Sequence, residues 1–229
     1  MSEYWKQHYE LAALAHPSSP LKQTGKTVNG CVVGEEQLTI IITQIAEQLE
    51  LNSTDILVDL GCGNGLLTAR ISNLVSKVIG IDFTEPLLDY ACLYNNSRNI
   101  TYIKSDILNI HEDILERVTA LTMYEVLQHL SLEELHRLMS GLSSLKDGTR
   151  FFIGGIPNKE KIKKFYNTNA KYKYFLQCES NNQPHLGRWW TESEISEIAK
   201  KSGWIMHSVA LPDNLYTSYY RFDAVLVKV

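Results

Sequence analysis

Residues 56–65 read ILVDLGCGNG: an apolar run that ends in an acid, followed by three glycines at alternate positions. A short apolar run closed by glycine reads as a buried strand, and the glycines open a tight turn into the next element. Residues 65–75 then carry Leu67, Ile71, Leu74 and Val75 on one side of a helix. Strand, glycine turn and helix in this order make the first half of a β-α-β unit, which commits the chain to a parallel sheet covered by helices.

The alternation continues. KVIGID (77–82), ITYIKSD (100–106), VTALTMY (118–124) and TRFFIGGI (149–156) read as further strands. Before the first of them, Leu38, Ile41, Ile42, Ile45 and Leu49 recur at helical spacing. Thr84 caps the next predicted helix, with Pro86 in its first turn, and a shorter helix is predicted near residues 111–117. Ser131 with Glu134, and Thr191 with Glu194, are capping boxes, and the second of these helices stops at Gly203. WIMHSVAL (204–211) and YYRFDAVLVKV (219–229) follow with no helix between them, so they pair antiparallel.

The expected fold is α/β: a doubly wound, mostly parallel seven-stranded sheet with an antiparallel last strand. Residues 1–35 read as a loop-like N-terminal arm or lid, broken by Pro17, Pro20, Gly25, Gly30 and Gly34. Residues 36–229 form the main domain, and about residues 157–190 form a helical cap inserted over the crevice. Ligands of such sheets lie beyond the carboxyl ends of the strands, which gathers Gly61, Asp82, Asp106 and Tyr124 around one crevice.

Composition excludes several classes. The chain has 229 residues, of which 44% are hydrophobic and 21% charged, enough for a core. Its net charge of −4 argues against a nucleic-acid partner. No apolar run approaches the ~18 residues of a membrane span, and the polar start MSEYWKQHYE carries no signal-peptide core, so a soluble cytoplasmic protein is expected. Cys31, Cys62, Cys92 and Cys178 form no CxxC pair, and no Asp/Asp/Asn metal triad is visible, so no metal is expected.

The dinucleotide pattern G-x-G-x-x-G fits Gly61 and Gly63, but position 66 is leucine and the third glycine is Gly65. The Walker pattern fails as well: Gly25-Lys26-Thr27 has Pro20 where the first glycine belongs, and no strand precedes it. Asp59, at the end of the strand, would repel a phosphate and suits a cation. Asp82, 21 positions after Gly61, stands where an acid takes hydrogen bonds from ribose hydroxyls. A ribose, no phosphate clamp and an acid near a cation together describe S-adenosylmethionine.

On these residues the chain resembles the class I S-adenosylmethionine-dependent methyltransferases. VDLGCGNG is similar to that family's first motif, IGIDF to its acidic loop and KSDIL to its adenine segment, and the similarity runs from about residue 36 to the C-terminus. The resemblance implies that Asp59 orients the methionine ammonium and that the backbone at Gly61 and Gly63 admits the methionine part. It further implies that Asp82 binds the ribose, Phe83 flanks adenine, Asp106 and the Ile107 backbone contact adenine, and Tyr124 lines the methyl-donor end. Cys62 and Asn64 read as loop fillers.

The acceptor side is less determined. His129, between the fourth strand and the Ser131 helix, is the candidate base, its ordinary pKa of ~6.5 suiting that role. Glu125 is the second candidate, as a base or as the holder of an amine. Tyr9, His185 and Trp189 are candidate acceptor contacts, and TGKTVNG (24–30) a candidate lid. Lys159, Lys161, Lys163, Lys164, Lys171 and Lys173 alternate with aromatics in the cap, as on the solvated face of an amphipathic helix. The family's base-methylating members carry an Asp/Asn-Pro-Pro-aromatic motif where this chain reads MYEVLQHL, without proline. The expected activity is methyl transfer to an oxygen or nitrogen of a small molecule, such as a sugar or biosynthetic intermediate. The alternatives are a non-catalytic S-adenosylmethionine-binding partner subunit and a protein or RNA methyltransferase.

Overall fold

The computed structural model describes residues 3–229. Seven strands make one sheet: β1 (Ile56–Leu60), β2 (Lys77–Asp82), β3 (Ile100–Lys104), β4 (Ala120–Tyr124), β5 (Arg150–Pro157), β6 (Trp204–Val209) and β7 (Arg221–Lys228). Their order across the sheet is β3-β2-β1-β4-β5-β7-β6. All neighbouring pairs from β3 to β5 are parallel, and β7 runs antiparallel to both β5 and β6. The doubly wound reading therefore holds, with the antiparallel strand lying inside the last pair rather than at the edge. The order reverses between β1 and β4, so the switch-point crevice opens above those two strands.

Alternate side chains on each strand serve opposite layers. Leu57 and Val78 join Leu38, Ile41 and Ile45 of α2 (Glu35–Gln48) and Ile71 of α3 (Leu66–Ile71) on one face. Val58, Leu60, Ile79 and Ile81 join Leu135 and Leu138 of α5 (Leu132–Gly141) and Ile195 and Ile198 of α7 (Glu192–Lys201) on the other. Helix α4 (Glu85–Tyr94) follows β2. Both capping boxes form, with Ser131 Oγ accepting from the Glu134 amide at 3.1 Å and Thr191 Oγ1 from the Glu194 amide at 3.2 Å.

Three local expectations change. Residues before 35 are not loop-like: α1 (Glu3–Ala15) is a 13-residue helix, Pro20–Gln23 adds a helical turn, and Thr27–Val28 pairs with Cys31–Val32 as a hairpin. Trp5 and Ala13 are the buried residues of α1, while Leu11 and Leu14 face solvent, so its amphipathic pattern is weak in sequence. The predicted helix 65–75 ends at Ile71 and tightens into a 3-10 turn, and its inward face is Leu66, Thr68 and Ile71, with Leu74 turned out. Thr84 is the N-cap of α4, but its hydroxyl makes no cap; the Asp82 carboxylate takes the Thr84 amide instead, at 2.8 Å.

The cap between β5 and α7 contains α6 (Asn169–Ser180), which has no buried residue. Its anchor is an aromatic cluster of Tyr166, Trp189 and Tyr220, with Phe165, Tyr172 and Phe175 packed against it. Of the cap's six lysines, Lys161 is half-buried and the other five are exposed. The strap that follows is fixed by Trp190, which is fully buried, donates its indole N–H to the Leu127 carbonyl at 3.2 Å and carries the Arg188 guanidinium 4.6 Å above its ring. Replacing a large buried aromatic by alanine typically costs about 3–5 kcal/mol. Trp190→Ala should lower unfolding stability by that amount in urea titration, and a loss below about 1 kcal/mol would show that the strap is not packed as described.

Candidate active site

Two cavities meet at the switch point. The first encloses about 690 Å³, counting its open mouth, and is walled by residues 61–64, by Asp82, Phe83 and Thr84 after β2, by Tyr124, Glu125 and Val126 after β4, and by Thr24 and Lys26 from the N-terminal segment. The glycine loop keeps its shape through conformations that other residues resist. Gly61 sits at φ 75°, where an added Cβ would meet Val126 Cγ2 at 2.5 Å. Gly65 sits at φ 74° as the N-cap of α3, against the Tyr102 hydroxyl and the Ala91 methyl. This explains why the third glycine stands at 65 and not at 66: the helix begins one residue early and needs a left-handed cap.

Two acids stand in this wall, both buried. Asp59 accepts from the Thr68 hydroxyl at 2.6 Å. Asp82 accepts from the Gly63 amide at 2.9 Å as well as from Thr84, and so ties the glycine loop to the β2 turn. Burial pushes the Asp59 carboxyl up to about 6; Thr68 opposes the shift, Asp82 adds to it and Lys26 opposes it. Burial also raises Asp82, against the amides of Thr84 and Gly63. Two desolvated carboxylates facing one cleft favour a cationic ligand. The set fits S-adenosylmethionine, with Asp59 placed for a cation and Asp82 for hydroxyls.

Of the residues predicted for this role, Asp59, Gly61, Gly63, Asp82, Phe83 and Tyr124 line the cleft. Asp106 and Ile107 do not: Asp106 accepts from the Leu108 amide at 2.9 Å, and Ile107 is 1% exposed in the core. Asn64 is no filler. Fully buried, it donates to the Pro20 carbonyl at 2.8 Å and to Gln23 Oε1 at 2.7 Å, fastening the N-terminal segment to the glycine loop.

The second cavity encloses about 1580 Å³ with its mouth and shares Tyr9, Thr24, Glu125 and His129 with the first. Trp5, Phe165, Tyr166, Tyr219 and Tyr220 make its wall aromatic, and His185 lies at its rim with Nδ1 3.1 Å from the Tyr166 hydroxyl. Trp189 stands behind this wall, packed on Tyr166 and Tyr220, and does not line the cavity.

His129 lies at the junction. Its ring is 4.1 Å from Trp5, centroid to centroid, and its Nε2 is 2.9 Å from the Tyr9 hydroxyl. Burial pulls the imidazole down to about 3, with the Arg221 charge acting in the same direction, so the ring is neutral at neutral pH and a much weaker base than an unperturbed histidine. Arg221 Nη1 donates to Gln128 Oε1 at 2.5 Å, which turns the Gln128 amide nitrogen toward His129 Nε2, 3.4 Å away. Nε2 thus faces both the Tyr9 phenol and the Gln128 amide, while Nδ1 is buried with no hydrogen-bond partner among the described residues.

Glu125 ends β4 at φ 58°. Lys26 donates to its Oε2 at 2.8 Å, and Arg221 Nη2 lies 3.9 Å from its Oε1. Burial alone would raise this carboxyl, but Lys26 and Arg221 outweigh burial and hold it below the ordinary range. An ionised, paired carboxylate makes neither a good base nor a free partner for an amine. Lys26, Asn64, Gln128, Tyr216 and Arg221 were not among the predicted site residues. The only prior sign of Lys26 was a polar loop with a false Walker tail.

Comparison with known proteins agrees with this architecture. Residues 57–147 match the family model described as a methyltransferase domain. A ubiquinone biosynthesis O-methyltransferase of Coxiella burnetii is 26% identical over 162 residues, covering 69% of this chain and 67% of that one. Another of the same name from Nitrosococcus oceani is 26% identical over 168 residues, covering 72% and 70%. The crystal structure of a SAM-dependent methyltransferase from Anabaena variabilis aligns over 99% of this chain and 94% of its own with a TM-score of 0.69, at 20% identity, which speaks to the fold. Residues 57–147 therefore resemble a methyltransferase domain, and the chain shares the Rossmann-like fold of that solved structure.

Among the described residues no helix is long and apolar enough to cross a membrane. The buried Lys26–Glu125 pair offers a direct check on the site's electrostatics. Removing one partner of a buried pair strands the other charge, at about 3–5 kcal/mol, whereas neutralising both is close to neutral. Lys26→Met should therefore lose about 3 kcal/mol in chemical denaturation, and Lys26→Met combined with Glu125→Gln should regain most of it. Additive losses in the double variant would mean that the pair is not coupled.

Proposed function

We propose that the chain methylates a hydroxyl oxygen of a small molecule held in the aromatic chamber. The observation that carries this reading is the junction of the two cavities at the Tyr9–His129 pair. One side is an acidic cleft suited to a cationic adenosyl ligand, and the other is an aromatic chamber of ligand size. Bound in the first, S-adenosylmethionine supplies a methyl group on a cationic sulfur. The chain's own residues supply placement: Asp59 for the ammonium, Asp82 for the ribose, the glycine backbone for close approach.

An acceptor hydroxyl reaches His129 Nε2 by taking the place of the Tyr9 phenol there. A hydroxyl grows acidic as its oxygen forms a new bond, so even a weakly basic imidazole can take its proton late in the reaction. Alignment of the two ligands supplies the larger effect, up to about 7–11 kcal/mol in ideal cases. Oxygen is favoured over nitrogen because Lys26 and Arg221 crowd the junction and disfavour a protonated amine, and Glu125 is already paired. The name O-methyltransferase carried by the relatives from Coxiella burnetii and Nitrosococcus oceani supports the same choice.

Two measurements test this. Calorimetric titration with S-adenosylmethionine should give saturable binding that weakens as pH falls through about 6, the position of the Asp59 carboxyl. The sign follows from linkage: a cation prefers the ionised acid, so below that pH binding must expel a proton, at up to about tenfold per pH unit. Asp59→Asn should bind more weakly and show a flat profile in that window; a sloped profile in this variant would exclude Asp59 as the cation partner. His129→Ala should slow transfer of radiolabelled methyl about 100-fold while donor affinity holds, and unchanged turnover would remove it as the proton acceptor.

A further inference from the structure

Arg221 is the most unusual group in the chamber. It begins β7, is 4% exposed and lines the second cavity. Its donors are unequally used. Nη1 serves two acceptors, Gln128 Oε1 and the Gly155 carbonyl. That carbonyl is in reach because β5 carries an irregularity between Ile153 and Ile156, where Gly155 adopts φ 66° and its amide is held by Asp223 at 2.7 Å. Nε has no hydrogen-bond partner among the described residues, and Nη2 comes no closer than 3.9 Å to Glu125. The Tyr220 ring flanks the guanidinium at 5.0 Å.

The edge of a guanidinium formed by Nε and one Nη is the planar two-donor fork that a carboxylate fits with two parallel hydrogen bonds. Tyr220 also engages this guanidinium, and its planar fork beside the cavity suits a planar anionic acceptor. Lys26 and Arg221 both face the ionised carboxylate of Glu125, with the Asp223 carboxyl, raised to about 7 by burial, also close to Arg221. Distance favours such an acceptor. Only the Gln128 amide separates Arg221 from His129 Nε2. A ligand gripped at Arg221 thus needs only about one ring's width to present a hydroxyl to His129.

From this geometry we infer that the acceptor is a hydroxylated aromatic acid, whose carboxylate docks on the Nε/Nη2 edge of Arg221 while its ring lies against the chamber's aromatics and its hydroxyl meets His129. The inference rests on the methyl-transfer reading given under Proposed function and adds the substrate class. Arg221 then has two tasks: it binds the acid directly, and it orients the Gln128 amide that faces His129.

The test compares mono- and dihydroxybenzoic acids with their carboxamides, using radiolabelled S-adenosylmethionine and the unaltered full chain. A charge-assisted bidentate contact should favour acids over amides by about 10- to 100-fold in kcat/KM. The product should be a methyl ether that survives alkaline hydrolysis. Arg221→Lys should erase most of the preference and leave the donor Kd unchanged; if that variant does not fold, the acid–amide comparison in the unaltered chain decides. Equal use of amides, an alkali-labile methyl ester, or failure of every acid to be methylated would overturn the substrate class. Neutral acceptors methylated at the same time would leave the methyl-transfer reading standing, whereas absence of donor binding by calorimetry would overturn both.

Discussion

The carboxylate of Glu125 is the point to which the rest of the site is tied. It stands at the end of β4 in a left-handed backbone conformation, with its amide donating to the Gly154 carbonyl of the neighbouring strand at 2.9 Å. Its side chain receives Lys26 from the N-terminal segment, lies near Arg221 at the start of β7 and is 3.4 Å from the Tyr216 hydroxyl. A desolvated carboxylate without a cation costs several kcal/mol. The N-terminal segment therefore gains most by folding where Lys26 reaches this acid, and in doing so it brings Gln23 to Asn64 and Tyr9 to His129. One buried charge thus links the order of residues 3–26 to the completeness of both cavities.

What could be read in advance was the chemistry local in sequence. The apolar run at 56–60, the alternating glycines and the acid at 82 lie within a few residues of the structures they make, and the doubly wound arrangement follows from right-handed crossovers. The capping boxes at Ser131 and Thr191 were legible for the same reason. The N-terminal helix was not: Pro17, Pro20 and the glycines are genuine breakers, and α1 is held by Trp5 on His129 and by packing on α4, contacts that no local pattern encodes.

The acceptor half was illegible for a related reason. Lys26 finds its partner 99 residues away and Arg221 reaches back 93 residues to Gln128. The use of Arg221 also depends on a strand irregularity at Gly155 that composition does not reveal. The low basicity of His129 is illegible for the same reason, because its desolvation by Trp5 and its surroundings is a tertiary effect. Asn64 stood in plain view inside the glycine loop, but its importance is visible only once the N-terminal segment is seen to fold over it.

The two cavities divide charge in a way that restricts what each acid can do. Asp59, Asp82 and Lys26 face the first cavity and Arg221 the second, with Glu125 between the two cations. Transfer of a methyl group from a sulfonium removes the positive charge on sulfur, so a carboxylate aimed at that sulfur would stabilise the ground state more than the transition state and slow the reaction. A carboxylate aimed at an ammonium, whose charge persists throughout, strengthens binding without this penalty. Burial raises the stakes, since both acids act at low dielectric where misplacement is expensive. The Thr68 hydroxyl that holds Asp59 and the two amides that hold Asp82 thus matter for more than solvation: they fix where each carboxylate can act in the cleft.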